Sequence, residues 1–164
     1  MIGNKGERFC RRGGGMMYSF DREIILNTKI DELMVSSDKV AHVQIDNPLE
    51  HALLVLTKSG YSAVPVLDHS YRLKGLISTT MIMDTVLGIQ SFEMDKLSQL
   101  KVEEVMNSNL PTLKVHHDFM RALGLTINHP FVCIEDDEGF FKGILTRRSI
   151  IKLFTKNLNR SMQS

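Results

Sequence analysis

The chain of 164 residues lacks most of the features that mark specialised protein classes. Its only cysteines, Cys10 and Cys133, are far apart. That excludes a disulfide framework and gives no zinc-cluster spacing. The formal net charge is +1, which argues against a general nucleic-acid binder or a protein held to acidic membranes by charge. The longest apolar run, Ala52–Leu56, is far shorter than a membrane span requires. There is no secretory-signal core, so the cytoplasm is the expected compartment. Catalytic signatures are missing as well. Thr57–Gly60 reads TKSG, without the preceding glycines of a phosphate-binding loop. Neither a G-x-S-x-G elbow nor an H-E-x-x-H helix occurs. His116 and His117 invite a metal reading, but zinc needs three or four ligands, and His42, His51, His69 and His129 are scattered. The expectation is no enzyme, no catalytic residue and no metal.

Residues 1–20 have a character of their own. CRRGGGMM at Cys10–Met17 has no periodicity and too little apolar content to offset the entropy of ordering. They are expected to form a disordered extension. Arg-Arg-Gly-Gly-Gly is also what a purine-rich ribosome-binding site would encode, so Met16 or Met17 is the alternative start.

What the chain does have is a repeat. FKGILTRRSIIK (Phe141–Lys152) rewrites LKGLISTTMIMD (Leu73–Asp84), with Gly75 on Gly143, Ser78 on Thr146 and Ile82 on Ile150. The same alignment puts YSAVPVLD (Tyr61–Asp68) on HPFVCIED (His129–Asp136), and IDELMVS (Ile30–Ser36) matches VEEVMNS (Val102–Ser108). A duplicated segment means a duplicated structural unit. Ala41, Val43 and Ile45 alternate with polar residues, the period of a strand. Asp46-Asn47-Pro48 starts a helix that ends at Gly60. Strands follow at Ala63–Leu67 and Leu73–Ile77, and again at Phe131–Glu135 and Phe141–Leu145, the latter pair joined through the acidic turn Asp136–Gly139. A closing helix ends each unit. Each repeat reads β-α-β-β-α, a mixed α/β (α+β) fold with the copies packed as a pseudo-two-fold pair. The expected division is repeat 1 at 28–88, a linker at 89–100, repeat 2 at 101–158 and a tail at 159–164.

The segments GYSAVPVLD with LKGLIS, and HPFVCIEDDEGFFKGILTRRSI, resemble the tandem CBS-domain pair, also called a Bateman module. DKVAHVQIDNPLEHALLVLTKSGYSAVPVLD and FKGILTRR are more narrowly similar to stand-alone bacterial CBS proteins that bind cyclic di-AMP. The resemblance implies a regulatory module that binds an adenine nucleotide between its repeats, a homodimer, and a client protein such as an alarmone synthetase or pyruvate carboxylase. Cyclic di-AMP is the ligand it favours; an AMP, ADP or ATP sensor and a ligand-free interaction scaffold are the alternatives. Mononucleotide-binding repeats often carry an Asp three residues after the Ser or Thr that ends the last strand. Here Met81 and Ser149 occupy those positions, which suits a ligand whose phosphates a carboxylate would repel.

Two cations stand where packing does not call for them. Arg147 precedes Ile150, Ile151, Phe154 and Leu158 at helical spacing, so it is expected on the inward face of the closing helix, its guanidinium suited to a phosphate. Arg148 lies about 100° round. Thr146 either caps the helix or offers its hydroxyl to the ligand. Lys39, by strand alternation, shares a face with Ala41, Val43 and Ile45, and Ala41 is small enough to admit a base. The competing readings are a helix-end salt bridge for Arg147 and a solvated strand end for Lys39. The expected site is therefore Lys39, Ala41, Tyr61, Ser62, Ala63, Val64, Pro65, Thr146 and Arg147, with Val40, Arg148 and Phe131 as secondary candidates.

Overall fold

The computed structural model describes residues 22–88 and 91–161; the reading of residues 1–20 lies outside them. Two short helices, α1 (Arg22–Leu26) and α2 (Ile30–Leu33), lead into the two-residue strand β1 (Val35–Ser36). Repeat 1 then runs β2 (Val43–Gln44), α3 (Leu49–Ser59), β3 (Ala63–Leu67), β4 (Leu73–Ser78) and α4 (Thr79–Val86). Two more short helices, α5 (Lys96–Gln99) and α6 (Val102–Val105), precede β5 (Thr112–Lys114), α7 (Phe119–Asn128), β6 (Phe131–Glu135), β7 (Phe141–Thr146) and α8 (Arg147–Ser161). The expected β-α-β-β-α order is present twice. The closing helix α8 continues past the expected boundary at Leu158, and α5 lies within the stretch expected to be a plain linker.

Local chemistry explains the elements. Leu49, Ala52 and Leu56 put one face of α3 into the core, and Gly60 ends the helix at φ 72° while its N–H bonds the Leu56 carbonyl. The Asp118 carboxylate caps α7 by accepting from the Arg121 N–H at 2.8 Å. In each hairpin an aspartate organises the turn. Asp68 accepts from the Ser70 and Arg72 N–H groups, and Asp136 from those of Glu138 and Phe140. The acidic run Glu135–Glu138 is thus a strand end and turn, with Glu135 held by Lys114 and Asp136 by Lys142.

There are two sheets, of order β2-β3-β4 and β1-β7-β6-β5. β2 pairs parallel with β3 and β5 with β6, while β3/β4 and β6/β7 are antiparallel hairpins. The leading segments are exchanged. β1, in the leading segment of repeat 1, pairs with β7 of repeat 2, setting Val35 opposite Ile144. Asn107, in the leading segment of repeat 2, bridges to Leu76 of repeat 1 through two hydrogen bonds of 2.9 Å. Helices follow the same exchange: Ile25 and Ile30 join the core of repeat 2, whereas Leu97 and Val102 join that of repeat 1. These crossings explain the paired glycines. A Cβ on Gly143 would stand 2.1 Å from the Val35 carbonyl oxygen, and one on Gly75 would stand 2.7 Å from that of Asn107.

Between the sheets a third apolar cluster closes the seam, with Val40, Leu67, Cys133, Phe141 and Ile144 buried. Burial pushes the Cys133 thiol up to about 12, with Glu135 adding to the effect.

Candidate functional site

The hairpins place their turns at one end of the seam, where Phe141 N–H bonds the Tyr71 carbonyl and Leu73 N–H bonds that of Gly139. The opposite end, where β3 and β6 begin and β4 and β7 finish, opens into a cavity of about 580 Å³. Repeat 1 contributes Gly60, Tyr61 and Ser62, and the exchanged strand contributes Val35. Repeat 2 contributes Pro130, Phe131, Ile144, Thr146, Arg148, Ser149 and Lys152. The walls combine two aromatic rings, small backbone-exposing residues and hydroxyls. Among the described residues its charged lining consists of two cations, Arg148 and Lys152. They lie four positions apart on α8, hence on one helix face. Both are exposed, and neither has an ion-pair partner among the described residues. An unneutralised cationic pair at the first turns of a 15-residue helix is suited to phosphate oxygens.

Thr146 serves as the helix cap: its Oγ1 accepts from the Ser149 N–H at 3.0 Å and shares a hydrogen bond of 2.8 Å with the Ser149 hydroxyl. Ser78 caps α4 in the same way, accepting from the Met81 N–H at 3.2 Å. Thr146 still borders the cavity.

The expected site residues divide. Tyr61, Ser62 and Thr146 line the cavity, as do the secondary candidates Arg148 and Phe131. Ala63 is half-buried at the start of β3, and Val64 and Pro65 are buried within that strand. Val40 is buried in the seam, and Ala41 packs half-buried against the repeat 1 core.

Two geometric expectations need correction. Lys39 is not on a strand. Residues Ser37–Lys39 form a 3-10 turn packed against β7, and strand pairing resumes only at Val43. Period-two alternation therefore does not set where Lys39 points; its side chain is exposed and does not line the cavity. Arg147 shares a helix side with Ile150 and Phe154 but is itself exposed, and its guanidinium reaches the end of α7 rather than the cavity. Its Nε donates to the Thr126 carbonyl at 2.9 Å and its Nη2 to that of Ile127 at 3.1 Å. The guanidinium thus caps the negative end of α7. The helix-end carboxylate partner is not the one it meets among the described residues. The stripe used to orient it was also misread: Ile150 is buried, whereas Ile151 is 56 % exposed.

The residues missed were Val35, Gly60, Pro130, Ile144, Ser149 and Lys152. Lys152 was detectable, since it repeats the helix face of Arg148 one turn later. Val35 was not, because the exchange that brings it to repeat 2 leaves no local signal.

His116 and His117 lie in the turn after β5. The rings meet edge-on at 5.1 Å, and the Nδ1 of His117 accepts from the Lys114 N–H. No group of three potential ligands occurs among the described residues, and no helix among them is long and apolar enough to cross a membrane.

Comparison with known proteins agrees with this architecture. The cyclic di-AMP receptor B of Bacillus subtilis (strain 168) is 49 % identical over 142 residues, 87 % of this chain and 97 % of that protein. A CBS domain-containing protein from Bacillus anthracis superposes with a TM-score of 0.77 at 54 % identity, covering 82 % of this chain and 97 % of the other. The CbpB protein of Listeria monocytogenes in complex with c-di-AMP gives a TM-score of 0.75 at 47 % identity, covering 79 % and 97 %. The first of these is named as a receptor, not as an enzyme. Residues 30–88 and 102–156 each match the CBS domain, and with two such domains exchanging their leading segments across one seam, the chain belongs to the CBS domain family.

Proposed function

We propose that the protein is a cyclic di-AMP receptor that binds the dinucleotide in the strand-end cavity and thereby controls a protein partner. The observation that carries this reading is the charge of that cavity: Arg148 and Lys152 face it with no carboxylate among its lining residues. Ser149 sits where a ribose-binding Asp would bring negative charge, which favours a diester over a mononucleotide with free ribose hydroxyls. Tyr61 and Phe131 offer aromatic faces for an adenine. Arg148 and Lys152 hold the phosphate, while Gly60 and Ser62 give close backbone approach. Lys39, Val40, Ala41 and Ala63–Pro65 form the flanking framework. Ligand control of a partner follows only if the ligand binds the free and partner-bound forms unequally. The named ligand of the Bacillus subtilis and Listeria relatives supports the same choice.

A second copy of the chain is the proposed companion at the outer face of α7 and α8. Met120 and Ile127 of α7 and Ile151 of α8 are 57 %, 71 % and 56 % exposed, apolar side chains that a homodimer would cover. Sedimentation equilibrium of the unaltered chain and of Ile127→Asp tests it; a monomeric unaltered chain rejects it.

Calorimetry and thermal unfolding with cyclic di-AMP, AMP and ATP test the ligand. At a hundredfold over its Kd the true ligand adds about 2.7 kcal/mol of stability. A shift with AMP or ATP but not with cyclic di-AMP replaces this reading with a mononucleotide sensor. No shift with any leaves an interaction scaffold.

A further inference from the structure

Beside the strand-end cavity lies a second one, of about 420 Å³, between α2 and the middle of α8. The two share Ser149 and Lys152, so they adjoin along one wall of α8. Lys156 lines the smaller chamber one helical turn beyond Lys152. Arg148, Lys152 and Lys156 thus descend one face of α8 at four-residue spacing, past both chambers. None of the three has an ion-pair partner among the described residues. Opposed to this ladder the smaller chamber has apolar walls, the half-buried Leu33 and Leu153. Asn157, only 7 % exposed, adds a polar group. Each chamber falls within the range of about 300–1,000 Å³ usual for small-molecule sites, so each can hold one nucleoside.

We propose that the smaller chamber takes the second nucleoside of a cyclic di-AMP whose first nucleoside lies in the larger one. This inference rests on the proposed ligand reading. A cyclic dinucleotide has two base lobes about a ring carrying two phosphates, and the paired chambers with a cationic common wall have the same plan. Lys152, on that wall, meets the phosphates centrally, and Arg148 and Lys156 flank it. Leu33 and Leu153 cover the faces of the second adenine. Glu32 lines the side nearer α2; its carboxylate accepts from an adenine amino group and repels a phosphate, which turns the base towards α2 and leaves the phosphates on α8. A mononucleotide fills only the larger chamber, so the preference for a dinucleotide arises in the smaller.

Photolabelling and calorimetry test this on the full chain. Cyclic di-AMP carrying an azide on each adenine is bound, irradiated and its attachment points mapped by mass spectrometry. Label is expected within residues 28–33 or 152–157 as well as near Tyr61 or Phe131, and excess unmodified cyclic di-AMP suppresses both. Calorimetry of the unaltered chain gives one dinucleotide per chain. Lys156→Gln weakens binding about two- to fivefold, the range of an exposed charge pair, with an unchanged melting curve. Label confined to the surroundings of Tyr61 and Phe131, two dinucleotides per chain, or unchanged affinity in Lys156→Gln each overturns the inference while leaving the ligand reading intact. Absence of binding to the unaltered chain overturns both. Should Lys156→Gln fail to fold, the labelling and the stoichiometry, measured on the unaltered chain, decide.

Discussion

The two repeats share one backbone plan and differ in charge. Caps, hairpins and crossing strands correspond: Ser78 with Thr146, Asp68 with Asp136, Asn107 with Val35. Even the first helical N–H groups agree, Thr79 bonding the Ser62 carbonyl and Arg147 that of Pro130. On the closing helices the agreement stops. Where α8 carries Arg148 and Lys152, the matched positions of α4 are Thr80 and Asp84. The frames correspond, and two positions on one face of the closing helices differ in charge. Geometry alone does not make a phosphate site; the local sign of charge does.

That contrast can be broken in several ways. The largest effect is expected from the crossing points. Gly143→Ala, placing a methyl 2.1 Å from the Val35 carbonyl oxygen with φ at 153°, should cost about 4 kcal/mol in a denaturant titration. Gly75→Ala, at 2.7 Å from the Asn107 carbonyl oxygen, should cost about 2 kcal/mol. Equal losses would mean that the two crossings are equally tight after relaxation.

Next comes the charge itself. Arg148→Thr, which writes the residue of repeat 1 into repeat 2, should weaken cyclic di-AMP binding about ten- to hundredfold by calorimetry, with the melting temperature little changed. Arg147→Ala should do the reverse, losing about 1 kcal/mol of stability with its two carbonyl contacts and costing less affinity than Arg148→Thr. The smallest effect concerns acid. The Arg72 N–H, working against desolvation and aided by Ser70 and Lys74, holds the Asp68 carboxyl below its usual range. At Asp136 desolvation pulls upward but is outweighed by Lys142 and the Phe140 N–H. Both carboxyls are lowered on folding, so their support is present above the unfolded carboxylate value and fades as pH falls through the lowered one. Asp68→Asn and Asp136→Asn should each flatten the acid limb of a stability-against-pH curve, and an unchanged limb would show that these turns do not report on acid unfolding.

The frame was legible because it depends on local rules. Strands Ala63–Leu67 and Phe131–Glu135 and the stop at Gly60 follow from alternation, turn chemistry and a left-handed cap, all written within a few residues. The candidate site was legible only in part. Tyr61, Ser62 and Thr146, named from the sequence, do line the cavity. Lys39 was misplaced because alternation was extended across Ser37–Lys39, where the backbone turns before pairing begins. Arg147 was misplaced because a helical wheel shows which side of α8 is buried, not which neighbour lies there. Its neighbour is the end of α7, a contact between residues about twenty positions apart. The exchange of β1 and Asn107 between sheets has no local signature at all.

That exchange has a further consequence. Each half clasps an arm belonging to the other, so severing the polypeptide between α4 and α5 would leave fragments that each lack an edge strand or helix and expose a bare flank. Neither piece should melt as an independent body. Mixed together they should re-form the clasp, and the intact chain should lose its structure in one concerted transition.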